Sequence, residues 1–326
     1  MKTTFAFLTH PVHTQQVKIF WPLTRIMPQP LIRPFLKNQT LKAIPMKKVR
    51  DRRGHETSGV LLITPIHPDD LLDTDEEILL EKIVSAGRLA QRMGFKILGL
   101  GGYFASLADR KPMLYKHMKV PVTTGAAFTA WTAYEAAFKA ARKNKLNLSQ
   151  ATVTLLSPVN SIGELCGRQF AGQVARMILA GDKEERLDKV RTVIQGASLV
   201  DVTIENDLTK AVDAADIIVN ADPLHSLFDL DRIGKGKIIC DVSIYGGLEE
   251  RAKRRPDITA VDCSLVSTPT RMRFCPTIAE TAMLSLEQNF VNYSLGENVN
   301  PNKMDYIANL ASRCGFEVKV PGAEIA

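Results

Sequence analysis

The hydrophobic pattern of the chain changes character near residue 144. Before it, the alternation of Phe5, Phe7 and Thr9 predicts an opening strand. Residues 59–66 form an apolar strand-like run, and 96–100 a buried strand that ends in Gly101-Gly102. Between these, Leu79, Ile83, Ala86, Ala90 and Met93 recur at helical spacing. They predict a helix over 75–93, capped by Thr74 and stopped by Gly94. Thr123-Thr124-Gly125 precedes an alanine-rich stretch, 126–143, of high helix propensity. Residues 144–149 read as a linker.

Beyond the linker, short apolar runs alternate with amphipathic ones. Strands are expected over 151–156, 177–180, 199–204, 217–221, 237–242 and 258–261, and helices over 164–173, 184–194 and 208–214. Strands this short and apolar, separated by helices, imply a parallel sheet covered on both faces. The expected fold class is therefore α/β with two domains. One is a Rossmann-type doubly wound parallel sheet, residues 144–279. The other is a smaller α/β substrate domain, residues 1–143, completed by C-terminal helices within 280–326 (over 280–290 and 301–314).

A length of 326 residues, with 45% hydrophobic and 24% charged, suits two ordinary cores. No apolar run approaches the roughly 20 residues that span a bilayer, and the N-terminus is a poor signal peptide. Cys166, Cys240, Cys263, Cys275 and Cys314 show no paired spacing, so neither a metal site nor a disulfide framework is expected, and the expected location is cytoplasmic.

Net charge is +7, and part of the excess is concentrated. Residues 21–55 carry nine lysines and arginines against Asp51 alone, interleaved with Trp21, Leu23, Ile26, Leu31, Phe35 and several prolines. One reading is an irregular, solvated segment wrapped around the core. The other is an attraction site for something acidic: a carrier protein, another protein subunit, a phosphorylated cofactor or the surface of an anionic membrane contacted peripherally. No nucleic-acid-binding motif accompanies the charge, so nucleic acid is not expected.

In a Rossmann unit the first strand-to-helix turn holds the dinucleotide pyrophosphate through glycine-permitted close approach and the helix N-terminus. Here that turn is Ser157-Pro158-Val159-Asn160-Ser161-Ile162-Gly163. Only the last glycine is present. Asn160 is expected to replace a glycine at positive φ, and Pro158 has no amide to donate. Asp182, after the second strand, would accept ribose hydroxyls and repel a 2′-phosphate, favouring NAD(H) over NADP(H), although Lys183 and Arg186 pull the other way. Asn220 and Ala221, closing the fourth strand, complete the cofactor set. The alternative is a fold retained without any cofactor.

These residues resemble the long-chain acyl-(acyl-carrier-protein) reductases of cyanobacteria. The resemblance rests on short stretches in order along nearly the whole chain. These are FAFLTH over 5–10, Gly101-Gly102-Tyr103, Thr123-Thr124-Gly125, Gln150–Val153 entering the cofactor loop with Ile162-Gly163, Glu185–Asp188, Ala279-Glu280, Ala282–Leu284 and Gly315-Phe316. It implies a two-domain enzyme that takes a fatty acyl group from a carrier-protein thioester onto a cysteine and reduces the acyl-enzyme with NADPH to an aldehyde. A thiolate suits that task, being both nucleophile and leaving group. The departures are plain. The family loop G-A-T-G-D-I-G is S-P-V-N-S-I-G here, and a family arginine is replaced where Asp182 stands. Three polar residues expected to face the cleft are Ala126, Ala127 and Phe128. The family cysteine aligns with Thr277, while Cys275 lies two residues earlier, so both are candidate catalytic residues.

Gly101, Gly102, Tyr103, Thr123 and Thr124 lie at expected strand ends, where α/β proteins contact substrate. Asp241 closes the fifth strand and faces the crevice or caps the next helix. His10, His67 and His225 are scattered and lack ligand spacing. Three functions remain open: an acyl-thioester reductase, a degenerate relative that binds an acyl chain, carrier protein or partner subunit, and a two-domain NAD(P)-dependent dehydrogenase of another small substrate.

Overall fold

The computed structural model describes residues 4–320 except 228, 245–246 and 297–298, with Pro112 described in its backbone only. The extreme ends of the expected first domain, 1–3 and 321–326, lie outside the described residues. The chain forms two compact units, Met1–Gly125 with Thr277–Gly296, and Ala126–Pro276 with Glu297–Ala326. This differs from the expected division. The 126–143 helix packs with the Rossmann-type sheet, and only the 277–296 segment returns to the first unit.

Unit 1 is built on a five-stranded sheet. Its strands are β1 (Phe5–Thr9), β2 (Lys42–Pro45), β3 (Gly59–Ile63), β4 (Ile97–Leu100) and β5 (Val122–Thr123), in the order β2-β3-β1-β4-β5. All neighbours are parallel except β2, which runs antiparallel to β3 along the edge. The two-residue side-chain period sorts the strands onto two cores. Ala6, Leu8, Leu62, Leu98 and Leu100 meet Leu79, Ile83, Ala86 and Ala90 of helix α3 (Glu76–Arg92). On the other face Ile63 meets Val17, Trp21, Ile32 and Leu36.

The second cluster belongs to the basic, proline-rich stretch, which is ordered. Helix α1 (Thr14–Phe20) leads into it, and it contains a 3-10 turn (Pro22–Arg25) and α2 (Gln29–Lys37), followed by β2. Several of its cations are paired: Arg33 with Asp69 and Asp70 at 3.2 Å, Lys48 with Glu56 at 3.2 Å, and Arg50 with the same Glu56. Asp75, not Thr74, caps α3, accepting from the Glu77 amide at 2.7 Å, while the Thr74 hydroxyl donates to the Asp70 carbonyl. Helix α10 (Pro276–Leu286) completes the unit. The hydroxyls of Thr4 and Ser285 are 2.5 Å apart, and a Cβ on Gly99 would lie 2.2 Å from the Thr281 hydroxyl.

Unit 2 carries six parallel strands: β6 (Thr152–Leu156), β7 (Arg176–Ala180), β8 (Asp201–Glu205), β9 (Ile217–Asn220), β10 (Ile238–Asp241) and β11 (Thr259–Asp262). Their order is β8-β7-β6-β9-β10-β11, with every pairing parallel. This is the doubly wound Rossmann arrangement expected from the alternation of strands and helices. Helices α8 (Leu208–Asp213) and α9 (Leu248–Ala252) supply Ala211 and Leu248 to one face. Helices α5 (Ala126–Lys143), α6 (Ser161–Ala171), α7 (Glu184–Gln195) and α11 (Pro301–Cys314) make up the rest. Ala126, Ala127 and Phe128 do not line a cleft as expected. They are buried core residues of α5, and the Phe128 ring stacks on Trp131 at 5.3 Å.

Candidate functional site

Parallel strands bring their carboxyl ends to one edge, and a ligand is best placed where the strand order reverses. In unit 1 that reversal lies between β1 and β4, because the chain passes from β1 to β3 on one side and later to β4 on the other. His10 follows β1, and Gly101-Gly102-Tyr103 follows β4. Tyr103 is not in a free turn, as expected, but begins helix α4 (Tyr103–Arg110). The Tyr103 amide donates to His10 Nε2 at 3.1 Å, and His10 Nδ1 pairs with the Pro11 carbonyl at 3.0 Å. The imidazole is 3% exposed, and burial pushes its pKa down, opposed by the Pro11 hydrogen bond. It is therefore a neutral ring with both nitrogens engaged. Gly102 sits at φ +57°, and a Cβ there would lie 2.4 Å from His10 Nε2. The Tyr103 ring lies under the Arg110 guanidinium, 5.6 Å from its centroid.

At the end of β5, Thr123 and Thr124 are buried. The Thr123 hydroxyl donates to Glu280 Oε1, and the Thr124 hydroxyl to the Ser294 carbonyl. Glu280 is fully buried on α10. Gly125, at φ +75°, lets α10 approach: a Cβ there would be 2.4 Å from the Thr277 Cα. In the sequence Glu280 stands out only as half of the Ala279-Glu280 pair. It is a carboxylate one turn into a helix, and its partner Thr123 lies 157 residues away.

In unit 2 the strand order reverses between β6 and β9, and the cofactor loop leaves β6 there. The helix begins at Ser161, three residues earlier than expected, because Asn160 is its N-cap. Asn160 does not take positive φ; it is extended, at φ −162°, and Ser157 carries the positive value, +50°. The Asn160 carbonyl oxygen accepts from the Ile162 amide at 2.9 Å and the Gly163 amide at 3.0 Å. Its NH₂ donates to the Ser157 carbonyl at 3.0 Å and the Ala221 carbonyl at 3.1 Å, tying the loops after β6 and β9 together. Gly163 has the close approach expected of the last glycine, since a Cβ there would lie 2.3 Å from the Pro158 Cα.

Around β9 and β10, the buried Asn220 amide donates to Asp241 Oδ1 at 2.8 Å and to the His225 carbonyl at 2.6 Å. Asp241 does not cap α9, whose N-cap is Gly247; its Oδ1 also accepts from the Ser243 amide at 2.9 Å. Burial pushes the Asp241 carboxyl up, against these hydrogen bonds. Its Oδ2 and the Ser243 hydroxyl are buried without a hydrogen-bond partner among the described residues. Asp182 is exposed, two residues beyond β7, beside Lys183, the N-cap of α7, and Arg186.

The loop thus fits a dinucleotide in its position, in Gly163 and in the start of α6, and Asn160 stands in the cradle where a phosphate oxygen would be received. His67 accepts from the Asp69 amide at 3.4 Å as the cap of a 3-10 turn, and exposed His225 pairs with Asp222 at 3.2 Å. Among the described residues no group of His, Cys, Asp and Glu is arranged to hold a metal.

Cys275 lies between a short strand, Arg273–Phe274, and α10. It is half-buried, whereas Cys166, Cys240, Cys263 and Cys314 are buried. Burial pushes the Cys166 and Cys263 thiols far above the ordinary value. Thr277, the other candidate, is half-buried in the first turn of α10, and its carbonyl accepts from the Thr281 hydroxyl at 2.9 Å. The boundary between the units falls between Cys275 and Thr277.

No family model matches the chain. Among curated proteins it is similar to aminotransferase PigE of Serratia sp. (strain ATCC 39006), 23% identical over 288 residues, covering 83% of this chain and 33% of the relative. The chain thus spans about a third of the length of that curated relative. Among solved structures it is similar to L-tryptophan dehydrogenase from Nostoc punctiforme, with TM-score 0.46 and 10% identity over 96% of this chain and 80% of the other. It is also similar to quinate dehydrogenase from Corynebacterium glutamicum in complex with NAD, with TM-score 0.41 and 14% identity over 88% of this chain and 93% of the other.

Proposed function

We propose that the chain is a nicotinamide-dependent oxidoreductase of a small polar substrate, with unit 2 as its dinucleotide-binding domain. One observation carries the reading. The order β8-β7-β6-β9-β10-β11 puts the strand reversal at β6, and from that point a tight turn enters α6 with Gly163 closely packed against Pro158. Ser157, Asn160, Ser161, Ile162 and Gly163 would form the phosphate turn, with the Asn160 oxygen giving way at the Ile162 and Gly163 amides, Asp182 would meet the adenosine ribose, and Asn220 with Ala221 the far half of the cofactor. Bound there, a nicotinamide supplies or accepts a hydride. An exposed carboxylate at Asp182 favours NAD(H).

The substrate is assigned to the carboxyl edge of unit 1, among Gly101, Gly102, Tyr103, Thr123 and Thr124. His10, with both nitrogens engaged, holds the start of α4 and is not the proton carrier. Glu280 fixes the Thr123 hydroxyl and so orients that end of the edge. Titration of the purified chain with NADH and NADPH, followed by fluorescence, tests the proposal. Saturable binding with NADH preferred is expected. Absence of binding by either at millimolar concentration would sink it and leave a fold that has given up its cofactor.

A second reading is the acyl-thioester reductase implied by the resemblance. It is favoured by the partial exposure of Cys275 alone among the five cysteines. The Cys275 thiolate would attack the thioester carbonyl and expel the carrier thiol; hydride then reduces the acyl-enzyme to aldehyde and returns the thiolate. An acyl mass adduct on Cys275 after incubation with an acyl thioester is expected, and an unmodified Cys275 would remove this reading.

A further inference from the structure

Helix α1 and the 3-10 turn that follows it form an almost continuous helical run with two apolar stripes. Val17, Trp21 and Thr24 face inward, with exposures of 0%, 7% and 1%. Ile19, Leu23 and Ile26 repeat the same spacing two residues on and are 55%, 60% and 84% exposed. Leu31, at the start of α2, is 54% exposed. Burying an aliphatic stripe accounts for the inner set, but nothing in the fold of unit 1 requires the outer one. Scattered exposed leucines need no explanation, whereas four large aliphatic side chains within thirteen residues do.

The segment that carries this face holds charge of one sign, although Arg33 is met by Asp69 and Asp70 from farther along the chain. No aspartate or glutamate precedes Asp51, while the first fifty residues hold nine lysines and arginines, so the rest of the chain is slightly acidic. Lys18 and Arg25 lie on the run itself, with the Arg25 Nε donating to the Lys18 carbonyl at 2.9 Å. Arg33 and Lys37 are exposed on α2. Exposed aliphatic side chains interspersed with cations along one segment match an anionic lipid surface, where the first enter the acyl boundary and the second meet headgroup phosphates. A protein partner would instead be engaged through large aromatic anchors, and the one tryptophan here is turned inward.

We propose that the face formed by Ile19, Leu23, Ile26 and Leu31, with Lys18, Arg25 and Lys37, docks the protein on an anionic membrane surface. The docking is peripheral, since no helix among the described residues is long and apolar enough to cross a membrane. It does not depend on the redox reading of unit 2.

The test is co-sedimentation of the full chain with phosphatidylcholine vesicles, with and without phosphatidylglycerol. Binding only to the anionic vesicles, weakened by salt, is expected. Leu23→Ser with Ile26→Ser should cut the affinity at least about tenfold, because each buried methylene contributes about 0.8 kcal/mol and tenfold is about 1.4 kcal/mol. Both positions are exposed, so circular dichroism and the melting temperature should be unchanged. Failure to bind anionic vesicles, or binding indifferent to the double substitution, would overturn the proposal. So would binding of an acidic polypeptide with vesicles ignored, or a dimer in ultracentrifugation that the double substitution dissociates, either of which assigns the face to a protein.

Discussion

The imidazole of His10 caps a helix that begins 93 residues later: its Nε2 accepts the main-chain N–H of Tyr103 at 3.1 Å. The first amides of a helix have no partner within it. Here the residue at the N-cap position is Gly102, which has no side chain to offer, so a histidine from the neighbouring strand end does the work. The arrangement also explains the glycine, because any side chain at Gly102 would strike the ring that replaces it.

This pairing makes stability sensitive to acid in a defined direction. Burial holds the folded-state pKa of His10 below its ordinary 6.5, so above that value both folded and unfolded chains are neutral there. As pH falls below 6.5 the unfolded chain takes up the proton first, and His10 contributes a loss of stability that continues down to its folded pKa. His10→Ala should lower stability by about 1–3 kcal/mol at neutral pH, since it strands the part-buried Tyr103 amide. It should also flatten the acid limb of a denaturation midpoint plotted against pH. An unchanged acid limb would show that other groups set it.

Asn160 offers an internal substitute for a ligand oxygen, and two replacements should act in opposite directions. Asn160→Gly frees the Ile162 and Gly163 amides, and NADH affinity should rise about twofold, the equivalent of the few tenths of a kcal/mol by which an Asn cap exceeds Gly. Asn160→Asp keeps the cap but places a negative charge at the phosphate seat, and affinity should fall. Calorimetric titration of the three proteins decides; a fall in both variants would assign Asn160 to loop architecture alone.

Exposure singles out one thiol. Brief treatment of the native chain with iodoacetamide, followed by peptide mass spectrometry, should label Cys275 and spare Cys166, Cys240, Cys263 and Cys314 until denaturant is added. If any of the four is labelled as quickly as Cys275, the local burial described for it does not hold in solution.

Asp182 is exposed, and its replacement should leave the fold intact. Asp182→Ala is expected to shift the NADH-to-NADPH affinity ratio toward NADPH by about tenfold, roughly one charge repulsion of 1–2 kcal/mol at the ribose. An unchanged ratio would mean that the adenosine ribose does not lie beside the end of β7.

Much of the fold was legible in periodicity. The helices at 126–143 and 301–314 have the expected bounds, and each strand of the Rossmann-type sheet lies within two residues of its expected limits. What was missed has physical reasons. Helix α4 begins on a glycine pair without a capping side chain, so its start carries no local signal. Helix α6 starts early because Asn160 acts as a cap, and the same residue type is equally at home at positive φ. The proline-rich stretch hides α1 and α2, whose inward residues become evident only against Ile63. The unit to which a helix belongs is decided by packing across the chain, which is why α5 and the 301–314 helix were assigned to the wrong side of the boundary. At the site, strand-end positions such as Thr123 and Asn220 follow from topology, whereas the Thr123–Glu280 and His10–Tyr103 pairings need the third dimension.

The return of residues 277–296 to unit 1 has a consequence for how the protein is made. Thr4, beside the first strand, meets Ser285 at a separation of 281 residues, with the whole parallel sheet of unit 2 synthesised in between. A nascent chain emerging from the ribosome therefore holds all five strands of the first sheet while the second is being translated, with its α10 face still uncovered. Such long-range closure slows folding and lengthens the interval in which apolar surface is open to chaperones. Shortening the chain before α10 would remove the last piece of the domain that was begun first.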